Sequence, residues 1–127
     1  MTIKNLFTFN AIVCLIMSLL LIFTPQMLSD LYTIDPTMSN GAIVFSRAFG
    51  SLMLGLGIAL WMSRNAVPSD GRRGLLIIIT ISCGLMVINY IHGILTGVNT
   101  NMAWGLVILT AILALWGGLL LSKETAY

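Results

Sequence analysis

Long apolar runs alternate with short polar stretches along the chain. Residues 6–24, 41–62, 75–96 and 102–121 are each nearly uninterrupted apolar sequence. A helix crossing a hydrocarbon core of about 30 Å needs about 20 such residues, so each run predicts a transmembrane helix. Residues 26–34 behave differently. Met27, Leu28, Leu31 and Tyr32 fall on one side of a helix, and Ser29, Asp30 and Thr33 fall on the other. Pro25 suits the first helical turn, where its missing N–H costs nothing. This segment is too short to span and predicts an interfacial helix lying on the bilayer. Asp35-Pro36 then ends it, because the residue before proline is pushed out of the helical region. Pro68, Asp70, Gly71 and Gly74 mark residues 63–74 as a turn, and 97–101 is a tight polar turn.

The expected fold is all-α: one domain over residues 1–127, an integral membrane bundle of four antiparallel transmembrane helices with a short interfacial helix after the first. Lys4 before the first run gives it the look of a signal peptide. The run is longer than the usual core of about 7–15 residues, and no small-x-small cleavage site follows, so it reads as a retained span.

Composition narrows the classes further. The 127 residues are 58% hydrophobic and 8% charged, against about 25% charged in an ordinary soluble domain. Too few charges exist to cover a water-facing surface, which excludes a soluble enzyme and a disordered chain. The net charge of +2, with no basic stripe, gives no footprint for nucleic acid.

Basic residues set the expected orientation. Lys4, Arg64, Arg72, Arg73 and Lys123 all fall on one side of a four-span chain, and the loops on the other side carry none. The positive-inside rule then places both termini in the cytoplasm. Trp61 and Trp104 fall where interfacial belts lie, and Trp116 sits deeper.

A few polar residues interrupt the spans. Arg47 lies about two turns below the outer start of the second span. Its long stem allows snorkelling to headgroup phosphates. Alternatively it faces the bundle interior, where it binds an anion or pairs with Asp30 or Asp35. Asn89, His92 and Thr96 share one face of the third span, with Tyr90 to the side. Arg47 and this face lie at similar depth in the outer half, so they form a candidate ligand site of Arg47, Asn89, His92, Tyr90, Thr96 and Asp30. The competing reading is an interhelical hydrogen-bond network, worth about 0.6 kcal/mol per bond. Asn10 near the inner end of span one reads as a helix–helix hydrogen bond.

Small residues are the second pattern. Ser51, Gly55 and Ala59 recur every fourth residue, and Gly93 and Gly97 form a small-xxx-small pair. Ser46 and Gly50 form another pair, with Gly57 between the rows, and Gly117-Gly118 offers a site for a lateral partner. Such residues let backbones approach where no hydrophobic effect drives association.

Missing residues exclude chemistry. The apolar runs hold no Asp or Glu, which argues against a proton-coupled exporter and a sterol-isomerase-like enzyme. Cys14 and Cys83 are isolated, without a Cys-x-x-Cys, and read as small buried hydrophobes. One histidine and no ligand cluster predict no metal, and no cofactor is expected.

Thr24-Pro25, Leu31-Tyr32, Arg47-Ala48-Phe49-Gly50 and Leu54-Gly55-Leu56-Gly57 resemble small bacterial four-span proteins of the DoxX-like kind, over roughly residues 15–65. The resemblance implies a bundle of four antiparallel helices and a bacterial inner membrane, but no general activity. The residues favour a non-enzymatic role. They point to a protein with a small outer-leaflet polar pocket for a lipid headgroup or a small anionic or amphipathic ligand. Two alternatives stay open: an accessory or assembly subunit of a larger membrane complex, and a homodimeric small-molecule transporter. Membrane lipid is the expected partner, with a homo-oligomer or a larger complex as the protein-level options.

Overall fold

A computed structural model describes residues 2–124. Five helices follow one another: α1 (Ile3–Phe23), α2 (Pro25–Tyr32), α3 (Asn40–Ser63), α4 (Asp70–Leu95) and α5 (Ala103–Glu124). Four of them, all but α2, are long and apolar enough to cross a membrane. The all-helical fold expected from the hydrophobic pattern is therefore the observed one.

Local chemistry sets the helix ends. Thr2, Ser39 and Ser69 each accept a hydrogen bond at the helix start, from the N–H of Asn5 (3.2 Å), Ala42 (3.1 Å) and Arg72 (3.3 Å). Side-chain oxygens of this kind satisfy N–H groups that have no intrahelical partner. The Ser69 cap with Asp70 in the first turn starts α4 five residues before the apolar run. An acidic group there is favoured by the helix dipole, which outweighs the turn signal of Gly71 and Gly74. Only Thr24 separates α1 from α2, and Pro25 opens α2 at its first position. Past α4, Gly97 adopts φ +75°, a region costly for residues with a Cβ. Its turn lets the Val98 and Asn99 N–H groups both donate to Gly93 O (2.9 and 3.0 Å).

The four long helices form two tight pairs, α1 against α3 and α4 against α5. Backbone approach is closest at glycine. A Cβ on Gly50 would stand 2.9 Å from Leu21 Cβ and 3.0 Å from Ser18 O, and one on Gly57 would stand 3.1 Å from Cys14 Cβ. In the second pair, a Cβ on Gly117 would stand 2.5 Å from Thr80 Oγ1.

The pairs meet at the end where α1 begins and α5 ends. Leu6, Phe7, Ala11, Leu60, Leu76, Ile79, Cys83, Leu113 and Leu120 form one buried cluster there, drawn from all four helices. At the same end Arg72 pairs with Glu124, joining the first turn of α4 to the last of α5. The Arg64 guanidinium lies 3.7 Å from the centre of the Trp61 ring.

The opposite end is held by backbone instead of side-chain packing. The Ile34 N–H donates to Val98 O, the Thr100 N–H to Tyr32 O, and Thr100 Oγ1 to Leu31 O, each at 2.9 Å. These bonds tie the exit of α2 to the α4–α5 turn. The result is a bundle closed by a core at one end and by a clasp of loops at the other.

Candidate functional site

Between the core and the clasp, the two helix pairs stand apart and enclose a cavity of about 550 Å³. This falls within the range of about 300–1,000 Å³ typical of small-molecule sites. Every helix contributes to its wall. Leu28, Ser29 and Tyr32 of α2 line its clasped end, and Asn10 lines it near the core.

The lining is apolar with a few neutral polar groups. Val13, Met17, Leu21, Met53, Leu56, Met86, Leu106 and Leu109 make up much of the surface. Ser29, Tyr32, Ser46, Ser82, Tyr90 and Thr110 supply hydroxyls, and Asn10 an amide. No charged side chain is among the lining residues. Several hydroxyls are already engaged: Thr110 Oγ1 donates to Leu106 O (2.7 Å) and Ser29 Oγ to Pro36 O (2.9 Å). Each retains acceptor capacity, since a hydroxyl has two lone pairs. Cys14 and Cys83 are both buried, free and on the cavity wall, and Cys14 Sγ donates to Asn10 Oδ1 at 3.6 Å. Asn10 therefore bonds within its own helix.

The polar residues that stand out in the sequence are placed differently. Tyr90 is half-buried and lines the cavity. Arg47 is exposed on α3. At 100° per residue it points about 180° away from Leu56 and about 160° away from Phe49, both of which line the cavity. Arg47 makes no ion pair among the described residues. Asp30 is exposed and accepts from Gln26 Nε2 (2.8 Å), and Asp35 accepts from the Thr37 N–H (3.3 Å). Asn89, His92 and Thr96 do share one face of α4, but all three are exposed. Thr96 Oγ1 donates to His92 O (2.8 Å), a bond within the helix. The structure thus does not bring Arg47 together with Asn89, His92 and Thr96.

The small-residue rows divide in the same way. Ser51 and Gly55 are exposed, Ala59 is partly buried, and a Cβ on Gly55 would meet nothing within 4 Å. The neighbouring pair Gly50 and Gly57 makes the close contact with α1. Gly93 is buried against the side chain of Asn99, and Gly97 serves the turn through its backbone.

Most of the wall carries little signal in the sequence. Ser82 lies seven residues before Asn89, so helical periodicity extends the Asn89 face down to it. Ser29, Ser46 and Thr110 carry no local signal, because a lone hydroxyl in an apolar run can bond its own helix anywhere. Among the described residues no group of His, Cys, Asp and Glu could hold a metal ion.

Fold and cavity together define a class: a polytopic membrane protein with four apolar helices around an internal apolar cavity. No family model, curated protein or solved structure matches the chain. The likeness to DoxX-like proteins rests on the four short motifs alone.

Proposed function

We propose that this is a non-enzymatic membrane protein that binds a small lipophilic or amphipathic molecule inside its bundle. The observation that carries the reading is the 550 Å³ apolar cavity, lined from every helix and free of charged side chains. Ionised groups are strongly disfavoured in such surroundings, so the buried part of the ligand is uncharged. An anionic headgroup held by Arg47 does not fit this site, since Arg47 faces away from it. Arg47 snorkels to the bilayer surface instead, about 10 Å from the start of α3 at 1.5 Å per residue. The basic side chains at the end where α1 begins and α5 ends favour a cytoplasmic position for it, and the likeness to the DoxX-like motifs favours a bacterial inner membrane.

Native mass spectrometry from a mild detergent tests the proposal. The wild type is expected to carry a copurifying lipophilic species. Val13→Phe with Ser82→Phe fills the cavity from α1 and α4, and is expected to weaken retention about tenfold or more, equivalent to about 1.4 kcal/mol. Arg47→Ala is expected to retain the species unchanged. A bare wild-type chain overturns the reading, and loss of the species in Arg47→Ala alone returns the site to the surface.

A further inference from the structure

The cavity has two lateral seams through which it could meet lipid, and they differ. Between α1 and α5 the flanking residues are covered. Leu6 is buried, Val13 is half-buried, and Leu109 and Trp116 pack against the core cluster. Between α3 and α4 the backbones barely approach one another. The lining residues that remain exposed are Phe49 (44%), Leu52 (70%) and Ile78 (46%), all on α3 and α4. The cavity therefore opens sideways between these two helices, toward the hydrocarbon of the bilayer.

The α2 end of the cavity is walled by α2 and clasped by the loops. Leu28, Ser29 and Tyr32 form the cavity wall there, and the clasp from Tyr32 and Ile34 to Val98 and Thr100 ties α2 down. At the other end the buried core fills the bundle.

One polar feature follows the open seam. Ser82, Asn89 and Thr96 recur every seventh residue on α4. A seven-residue step drifts only about 20° around a helix, so with Ile78 these residues lie within about 40° on the open side of α4. Ser82 is at the cavity, whereas Asn89 and Thr96 are exposed, and Thr96 caps the helix at the α2 end. The row runs about 21 Å, at 1.5 Å per residue, from the bilayer surface to mid-helix. A hydroxyl or carbonyl headgroup moving along it keeps hydrogen-bond partners where bare hydrocarbon offers none.

We infer that the α3–α4 seam is a lateral portal, through which an uncharged, single-chain amphiphile enters from the bilayer with its polar head following Ser82, Asn89 and Thr96. This rests on the binding reading above. Size supports one chain: at about 30 Å³ per water-sized group, the cavity holds about 18 such groups, about one acyl chain whose polar head stays in the seam, and too few for two chains.

Exchange kinetics test the portal separately from binding. The probe is monoolein, an uncharged single-chain amphiphile, in phosphatidylcholine nanodiscs. Protein loaded with monoolein is chased with its deuterated form and followed by native mass spectrometry. Leu52→Trp with Ile78→Trp crowds the portal at two exposed positions, and Asn89→Leu with Thr96→Val removes the polar row without burying anything. Both variants are expected to slow exchange about tenfold, about 1.4 kcal/mol on the barrier, with helix content unchanged; Asn89 and Thr96 lie outside the cavity wall, so in that variant bound monoolein at equilibrium stays within twofold of wild type. Thr100→Ala loosens the clasp and is expected to leave the rate unchanged. Unchanged rates in both seam variants, or faster exchange in Thr100→Ala, overturn the portal and leave binding intact. A wild type that retains no monoolein overturns the binding reading and the portal with it.

Discussion

Replacing Gly50 by leucine is expected to destabilise the bundle by about 3 kcal/mol, the upper part of the usual overpacking range. The added Cβ alone would stand 2.9 Å from Leu21 Cβ, 3.0 Å from Ile22 Cγ1 and 3.0 Å from Ser18 O. One of these atoms is backbone, so no rotamer change relieves the contact. Helix α1 must move away from α3, and the loss extends along the pair. Greater helix propensity of leucine offsets up to about 1 kcal/mol, too little to reverse the sign. Gly55→Leu is the internal control. It lies five residues further along α3, where a Cβ meets nothing within 4 Å. There the propensity gain acts alone, and stability is expected to hold or rise by up to about 1 kcal/mol. Titration with sodium dodecyl sulfate in mixed micelles, followed by circular dichroism, reads both. Equal midpoints for the two variants would show that α1 and α3 do not meet at Gly50.

Phe7→Ala is expected to cost about 2 kcal/mol in the same assay. Phe7 is fully buried in the cluster that joins all four long helices. In a soluble protein Phe→Ala costs about 3–5 kcal/mol, part of it transfer of apolar surface from water. That part is lost in lipid, because hydrocarbon is as apolar as the core. The cavity term remains, since neighbours on four helices cannot all close over the missing ring. Phe9→Ala, two residues away and 42% exposed, is expected to change the midpoint little, because lipid chains fill the space that a fixed core cannot. An equal loss at both positions would mean that Phe7 contributes surface and not packing.

These contrasts separate what is legible in the chain from what is not. Fourfold spacing of small residues on the second span is visible in two neighbouring rows. Ser51–Gly55–Ala59 has the stricter repeat, yet the row holding Gly50 and Gly57 meets α1. The two rows lie about 150° apart around α3, and nothing local distinguishes them. In a water-soluble helix the buried face would be the apolar one. Here lipid and core are equally apolar, so amphipathicity is nearly absent and cannot orient the helix.

The same reason hides the cavity. Arg47, Asn89, His92 and Thr96 stand out in sequence because polar groups in lipid are costly, which makes them conspicuous wherever they point. Arg47 points away from the cavity, and Asn89, His92 and Thr96 are exposed on α4. The residues that do line it, such as Leu28, Met53, Met86 and Leu109, are indistinguishable from lipid-facing ones.

By itself the sequence determined that the chain is helical, where each helix lies within a few residues, and that four helices are apolar enough to span. Those facts follow from local terms, the length of each apolar run and proline at position 25, while the caps at Ser39 and Ser69, apparent only in the structure, set where α3 and α4 begin. Tertiary structure alone decided that α1 pairs with α3 and α4 with α5, that one end closes on a core, and that the pairs stand apart around a cavity. Those outcomes depend on shape complementarity between distant side chains, a quantity no single stretch of chain contains.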